Sequence, residues 1–355
     1  MSFTVFIDGE PHKATPGETV LDVADRANAE IPTLCHDPRL EPAGACRACL
    51  VEVEGEGRLQ PGCTWKVAPE MKITTRSDRI ARHQRILFSM YAADHARDDS
   101  GLPAESPNVN QLRGLTERID LLPLRSLAAP RRGRPTDPNP YLTFDPDRCI
   151  VCARCTRYCD EVEAVNAITL AFRGAETTIS TAADRGLLDT TCELCGGCID
   201  TCPTGALVEK KPPADLRVHD VEKVRTTCNY CGVGCQMDLN VSEGRVVKVT
   251  SPPPGETVND GNLCVKGRFA YDFIHHDDRI TQPMVRGDDG ELHPTSWEHA
   301  IDAAAKGLLG VKERHGADAL GFISSSRCTG EENYLVQKLA RAAFGTNNCH
   351  QCAAT

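Results

Sequence analysis

The chain begins with a pattern of apolar and polar positions that changes from a strand period to a helical one. Residues 3–7 (FTVFI) are apolar and β-prone, and Asp8 with the following glycine is a turn signal before a second extended segment. Thr19, with Asp22 three residues later, is typical of a helix start. The apolar positions that then recur at helical spacing are Val20, Val23, Ala24 and Ala27. The pattern predicts a β-hairpin with a helix packed on it.

The middle of the chain is predicted to be helical and then extended. Residues 78–93 carry an intermittent apolar face at helical spacing, and a second short helical stretch follows near residues 112–122. Five prolines and four arginines lie between Pro123 and Pro140. This composition predicts an extended linker, with a strap over a neighbouring subunit as the less favoured alternative.

The last third of the chain contains both the strand pattern and the helical pattern of apolar positions. Residues 239–249 (LNVSEGRVVKV) predict a hairpin with its turn at Glu243 and the following glycine. The sequence SWEHAIDAA opens a helix at Ser296, and residues 320–323 are typical of a buried strand. The residues expected to pack on that strand from a later helix are Leu335, Leu339 and Ala342. This predicts the beginning of an α/β domain.

Composition narrows the possible environments. A chain of 355 residues with 40% hydrophobic content has room for two or three globular domains. No segment is apolar over the length of a bilayer and the N-terminus lacks a signal-peptide pattern, so we expect a cytoplasmic protein without a membrane span. The net charge of -10 argues against a nucleic-acid partner. Nineteen cysteines in such a chain favour metal ligation over disulfides.

The strongest motif is a cysteine run, C-x2-C-x2-C-x3-C, that occurs twice. In such pairs the fourth cysteine of each run ligates the cluster of the other run. The first predicted four-iron cluster therefore takes Cys149, Cys152, Cys155 and Cys202, and the second takes Cys192, Cys195, Cys198 and Cys159. Pro203 ends the second run as the motif expects, whereas Asp160 replaces proline in the first. The pair resembles bacterial two-cluster ferredoxins, and zinc knuckles or disulfides are the weaker alternative.

A different quartet lies near the N-terminus, namely Cys35, Cys46, Cys49 and Cys63. Four thiolates in a loop of small residues fit a two-iron cluster, with a structural zinc site as the weaker alternative. The segment resembles the N-terminal domain of the largest peripheral subunit of respiratory NADH dehydrogenases, iron-only hydrogenases and some formate dehydrogenases, which implies a β-grasp fold. Many of those relatives next carry a cluster bound by one histidine and three cysteines. Here only His95 is present, so we expect that cluster to be absent and His95 to be a solvated helix residue.

A last quartet consists of Cys228, Cys231, Cys235 and Cys264. Its spacing resembles the four-iron module of molybdenum or tungsten enzymes that carry two pterin guanine dinucleotides. The resemblance implies that Lys266 lies between this cluster and the pterin, where a cation can raise the potential of the cluster. The alternative is an ordinary surface lysine.

Residues 279–355, with the segment RCTGEENYLVQKLAR, are similar to formate dehydrogenase catalytic subunits. The resemblance implies that the chain stops before the residue that ligates the metal, so we expect no catalytic residue here and no formate oxidation by this chain alone. A selenocysteine codon after Thr355, a truncation or a split gene would each explain that end. The cysteines left over, Cys328, Cys349 and Cys352, are expected to be small buried residues.

Together these features predict an α+β multidomain iron-sulfur protein. Its expected parts are a β-grasp 2Fe-2S domain (1–78), a helical segment and linker (79–140), a double 4Fe-4S ferredoxin domain (141–212), a 4Fe-4S molybdopterin-oxidoreductase module (221–277) and the start of an α/β pterin-binding domain (278–355). The resemblance implies the large subunit of an NAD-linked formate dehydrogenase. In that subunit one 2Fe-2S and three 4Fe-4S clusters pass electrons from a Mo- or W-bis(molybdopterin guanine dinucleotide) site to flavin and iron-sulfur NAD-reducing subunits. The alternative is the large iron-sulfur subunit of an NADH:quinone oxidoreductase or a hydrogenase complex.

Overall fold

The computed structural model of the protein describes residues 2–95, 110–124, 137–212 and 221–352. Most of the predicted proline- and arginine-rich linker lies outside these ranges. Among the described residues, no helix combines the length and the apolar character needed to cross a membrane.

The N-terminal region is a mixed five-stranded sheet with one helix packed against it. Its elements are β1 (Phe3–Ile7), β2 (Glu10–Ala14), α1 (Val20–Arg26), β3 (Leu50–Val53), β4 (Gln60–Pro61) and β5 (Lys72–Thr74). The strand order is β2-β1-β5-β3-β4, with β1 antiparallel to β2 and parallel to β5. The predicted hairpin and helix are confirmed.

The start of α1 follows the predicted chemistry. The hydroxyl of Thr19 accepts a hydrogen bond from the Asp22 N–H, and the Asp22 carboxylate accepts one from the Thr19 N–H. This reciprocal cap satisfies two backbone donors that a helix start leaves without partners. Val20 and Val23 are buried against β1 and β5 in the core of the domain.

Two helices connect this domain to the next one. They are α2 (Asp78–Asp94) and α3 (Gln111–Thr116), so both predicted helices are confirmed, the second over a shorter range. Phe88 of α2 and Leu112 of α3 are fully buried in a core that also contains Cys35 and Cys46. The helices therefore cover the loop that carries the N-terminal cysteine quartet.

The two cysteine runs lie in short loops and turns between small strand pairs. The elements are β6 (Leu142–Phe144), α4 (Arg154–Arg157), β7 (Thr169–Ala171), β8 (Thr178–Ser180), α5 (Gly197–Asp200) and β9 (Leu207–Glu209). Strand β6 is antiparallel to β9, and β7 is antiparallel to β8. Each run enters a one-turn helix after its second cysteine, and α4 and α5 contact each other.

The next module is a three-stranded antiparallel sheet followed by a short helix. Its elements are β10 (Glu222–Thr227), β11 (Gln236–Ser242), β12 (Arg245–Thr250) and α6 (Val265–Phe269). The turn between β11 and β12 places Glu243 and Gly244 at positive φ, 49° and 74°. That geometry is typical of a two-residue hairpin turn, and it confirms the predicted hairpin.

The C-terminal region consists of a hairpin, two helices and a parallel strand pair. Its elements are β13 (Met284–Arg286), β14 (Leu292–Pro294), α7 (Trp297–His315), β15 (Phe322–Ser325), α8 (Gly330–Lys338) and β16 (Cys349–Cys352). The predicted helix start is confirmed, and Ser296 caps α7 because its hydroxyl accepts from the His299 N–H.

The packing predicted for this region is wrong. Leu335 and Leu339 are 58% and 48% exposed, and Ala342 is exposed as well. A π-helical turn follows α8 from Leu339 to Phe344, and such a turn holds more residues than an α-helical turn. It therefore rotates the face presented to β15, so that Ala340 and Phe344 are the buried residues. The ring of Phe344 lies 5.4 Å from that of Phe322.

Candidate iron-sulfur centres

The four N-terminal cysteines converge in the loop after α1 and around β3. All four are at most 4% exposed, and the Cys46 N–H donates to Sγ of Cys35 at 3.4 Å. A hydrogen bond from Cys46 lowers the pKa of Cys35 to about 5, and one from Cys49 lowers the pKa of Cys63 to about 7. The charge of Cys46 also acts to raise the pKa of Cys49, and the charge of Cys35 acts to raise the pKa of Cys63. The two pairs therefore form one group of four.

Cysteines of both runs come together in the first ladder group, and ligation of its cluster by Cys202 stays a prediction. Burial raises the pKa of Cys152 to about 12, and the charge of Cys202 adds to the rise. Burial likewise raises the pKa of Cys155, with Cys152, Cys202 and Cys149 among its charged neighbours. Cys202 therefore lies near Cys152 and Cys155 of the other run.

The second ladder quartet surrounds a cavity. Burial raises the pKa of Cys198, and the added effects come from Cys195, Cys192 and Cys159. All four of these cysteines line a cavity of about 520 Å³ whose other walls include Leu142, Ile179 and Leu207. An apolar cavity lined by four thiols has the donor set that a 4Fe-4S cluster needs.

The last quartet is the most exposed one among the described residues. The Cys228 N–H donates to the Cys235 carbonyl at 2.8 Å, which closes the loop between them. Burial raises the pKa of Cys228, and the charges of Cys264 and Cys231 add to the rise. Cys231 and Cys264 are exposed, and Cys264 is the residue that precedes α6.

Donor type decides what these groups can hold. Among the described residues, no group of three or more His, Cys, Asp or Glu side chains is compact enough for a single metal ion. The fit to iron-sulfur clusters rests on four convergent thiols in each group, since thiolates are the usual ligands of such clusters. The assignment of each quartet to one cluster stays a prediction.

The quartets follow one another in a fixed spatial order. The core that contains Cys35 and Cys46 also packs against Cys152, and Tyr91 donates from its hydroxyl to the Cys46 carbonyl at 3.3 Å. The charges of Cys46 and Cys152 both act on the Tyr91 hydroxyl, whose pKa is raised mainly by burial. The N-terminal quartet is therefore next to the first ladder quartet.

The remaining steps are equally direct. The two ladder quartets meet where the charge of Cys198 acts on Cys155. Arg268 connects the second ladder quartet to the last quartet. Its side-chain Nε donates to the Cys195 carbonyl at 2.7 Å, and its backbone N–H donates to the Cys264 carbonyl at 3.0 Å. The guanidinium charge also opposes the rise in pKa that burial causes at Cys195 and Cys198. The segment from Cys264 to Arg268 thus connects the second ladder quartet to the last one.

Three predictions about individual residues can be compared with their burial in the structure. His95 ends α2 and is half-buried, with its Nε2 3.5 Å from Asn110 Nδ2, so the expectation of a solvated histidine is wrong. Cys328 is exposed and Cys349 partly exposed, so neither is the small buried residue that was expected. Lys266 lies exposed in α6, and its position toward a pterin stays a prediction.

Sequence reasoning missed the charged groups that join the domains. Asp37, in the N-terminal loop, is 2.9 Å from Arg39 and 3.3 Å from Arg154 of α4, and its Oδ2 accepts from the Thr201 hydroxyl at 2.8 Å. Burial alone would raise the pKa of Asp37, but these partners, above all Arg39, hold it well below its usual value. Arg39 also donates to the Gly261 carbonyl at 3.1 Å. The sequence indicated these contacts only in that charged residues lie close to the predicted cluster ligands.

Comparison with known families divides the chain into four matched segments. The descriptions are "2Fe-2S iron-sulfur cluster binding domain" for residues 1–78 and "NADH-quinone oxidoreductase subunit 3, ferredoxin-like domain" for 139–208. Residues 221–276 match "Molybdopterin oxidoreductase Fe4S4 domain", and residues 279–355 match "Molybdopterin oxidoreductase". The chain thus combines iron-sulfur domains with the N-terminal region of the molybdopterin oxidoreductase family.

Particular relatives carry different names. The chain is 35% identical over 346 residues to the NADPH-Fe(3+) oxidoreductase subunit alpha of Geobacter sulfurreducens and 36% identical over 348 residues to an NADH-quinone oxidoreductase subunit of Rhizobium meliloti. It is 28% identical over 392 residues to a putative formate dehydrogenase of Staphylococcus haemolyticus. These alignments cover 96–98% of the chain but 39% of each relative. The chain therefore spans about two fifths of the length of these relatives.

A solved structure shares a large part of the fold. A chain in the crystal structure of an NAD+-reducing [NiFe]-hydrogenase in the H2-reduced state is 30% identical, with a TM-score of 0.52. The match covers 59% of this chain and 88% of the hydrogenase chain. This chain therefore shares the fold of that hydrogenase chain over the matched residues.

Proposed function

We propose that this chain is the iron-sulfur electron-transfer part of a molybdopterin oxidoreductase complex. The observation that carries the proposal is the serial arrangement of the four cysteine quartets. The N-terminal quartet shares a core with Cys152, the two ladder quartets meet at Cys155 and Cys198, and the segment from Cys264 to Arg268 joins the last quartet to them. Clusters arranged in series carry electrons one at a time between a two-electron chemical site and a distant acceptor. The N-terminal quartet is buried, and the two ladder quartets are buried or half-buried.

We further propose that the chemical site is that of a formate dehydrogenase. The support is the formate dehydrogenase-like segment RCTGEENYLVQKLAR, together with full-chain similarity to putative formate dehydrogenases. When bound, the Mo or W pterin would accept the two electrons of formate oxidation. In this chain the last quartet would receive them and the N-terminal quartet would deliver them to a flavin and iron-sulfur subunit that reduces NAD.

A second candidate has equal support, and the sequence identities are the observation behind it. The relatives named for NADPH or NADH oxidation are 35–36% identical to the chain, whereas the putative formate dehydrogenases are 27–28% identical. In this alternative the chain carries electrons that arrive from a pyridine nucleotide, and no formate chemistry is coupled to it.

One experiment separates the two candidates. The full-length protein, purified anaerobically with its partner subunits, is mixed with formate or with NADH or NADPH and frozen for electron paramagnetic resonance. We expect formate to reduce the clusters and pterin to be present together with Mo or W. Reduction by a pyridine nucleotide alone, with no response to formate, would favour the second candidate. Failure of every donor to reduce the clusters would contradict an electron-transfer role.

A further inference from the structure

Arg268 is a buried charge at the junction of two cysteine quartets. Its side chain is 2% exposed, and its Nη2 lies 2.6 Å from Oδ2 of Asp200 in α5. Its Nε donates to the Cys195 carbonyl. Burying a guanidinium is costly unless it is paired and hydrogen-bonded, so these contacts fix its position closely.

The backbone of the second cysteine run is shaped to receive this side chain. A Cβ at Gly196 would lie 2.4 Å from Cδ and 2.7 Å from Nε of Arg268, so even a methyl group could not be accommodated without movement. Phe269, the next residue, stacks on Tyr141 with 4.5 Å between ring centroids. The last module is therefore docked on the domain of the two cysteine runs through adjacent side chains of one short helix.

Arg268 lies close to other buried ionisable side chains. Asp200 neutralises it directly, and a second buried pair, Lys248 and Glu209, lies 3.9 Å apart beside it. Neutralising one member of the Arg268–Asp200 pair therefore changes the charge next to Cys195 by one unit of known sign. Water cannot screen such a charge effectively, because both side chains are nearly inaccessible.

We propose that Arg268 is a positioning residue that docks the last module on the second ladder quartet and raises the reduction potential of the cluster held by Cys192, Cys195, Cys198 and Cys159. The inference rests on the proposed electron-transfer function. Each transfer step oxidises one cluster by one electron and reduces its neighbour by one, so no bond changes and no co-reactant is needed. A reduced cluster carries one additional negative charge, which a fixed guanidinium stabilises.

The test is a redox titration of the anaerobically purified full-length protein, followed by electron paramagnetic resonance. The signal of the second ladder cluster is first identified by its loss in Cys192→Ser. We expect Arg268→Gln to lower its midpoint potential, with about a tenfold smaller reduced-to-oxidised ratio at a fixed potential, which is about 59 mV for one electron. Arg268→Lys keeps the charge and should restore most of that ratio.

Asp200→Asn supplies the decisive comparison. It breaks the same ion pair but leaves Arg268 without its counter-charge, so we expect the potential to rise. A purely structural role would give shifts of the same sign in Arg268→Gln and Asp200→Asn, or no shift in either, and each of these results would overturn the proposal. If Arg268→Gln does not fold, an upward shift in Asp200→Asn supports the proposal and an unchanged potential rejects it.

A matched control lies in the same module. Arg225 forms ion pairs with Asp238 and Glu256, but its side chain is 44% exposed and it stands on β10. Arg225→Gln should leave the potential of the second ladder cluster unchanged. If formate and pyridine nucleotides both fail to reduce the clusters, the proposed function fails, whereas the potentials measured with a chemical titrant still test the role of Arg268.

Discussion

The two cysteine runs have the same spacing but differ in charge at two matching positions. The first run carries Arg154 and Arg157 where the second carries Gly197 and Asp200. Both arginines of the first run reach the N-terminal domain: Arg154 pairs with the Asp37 carboxylate, and Arg157 donates to the Cys35 and Glu41 carbonyls. The second run instead receives Arg268 from the module that follows it.

This difference shows how two copies of one motif come to contact different neighbouring domains. The cysteines set which atoms can bind a cluster, whereas the residues between them set which neighbour each run faces. The first run supplies the cations at its interface and the second run supplies the anion. Each run therefore faces a different neighbouring domain.

The largest expected effect tests the crossed ligands that join the two runs. Cys202→Ser should remove about four iron atoms per chain and the signal of the cluster bound by Cys149, Cys152 and Cys155, since each such cluster needs four ligands. Iron analysis and electron paramagnetic resonance measure both. Cys328→Ser, at an exposed cysteine outside the quartets, should change neither. Loss of the signal that Cys192→Ser removes would contradict the crossed assignment.

The N-terminal quartet offers a smaller loss. Cys46→Ser removes one of four buried thiols and should abolish only the two-iron signal, with about two iron atoms lost per chain. Spectra of the variant recorded beside the unaltered protein provide the measurement. The disappearance of a four-iron signal instead would show that this quartet holds a different cluster.

Exchanging glycine and alanine at matching positions compares the packing of the two runs. Gly196→Ala should destabilise the protein by about 1–3 kcal/mol, because the added Cβ overlaps Arg268. Ala153→Gly, at the matching position of the first run, creates no overlap and should cost less than about 1 kcal/mol. Thermal unfolding followed by circular dichroism measures both. Equal effects in the two variants would mean that the runs are packed alike.

The smallest expected effect concerns Lys266. Its side chain is exposed, and water screens an exposed charge. Lys266→Ala should therefore lower the reduction potential of the last cluster only slightly and leave the iron content intact. Lys306→Ala, at an exposed ion pair in α7, serves as the control. A potential that does not change in a redox titration would make Lys266 an ordinary surface lysine.

The sequence predicted the elements and the cysteine groups because both depend on spacing along the chain. Periodicity identified α1, α2 and α7, and the doubled run implied that Cys202 would lie with Cys152 and Cys155. Packing was harder to predict, because it depends on residues distant in sequence. The π-helical turn that buries Phe344 instead of Leu339, and the pairing of Arg268 with Asp200, left no periodic signal.

The central claim is that four cysteine quartets bind four iron-sulfur clusters in series. Iron and acid-labile sulfide analysis of the anaerobically purified protein tests it most directly. We expect about fourteen iron atoms per chain, two from the N-terminal cluster and four from each of the three others, with a matching amount of sulfide. About one zinc per quartet with no sulfide would contradict the claim, and a count near eighteen iron atoms would require a fifth cluster.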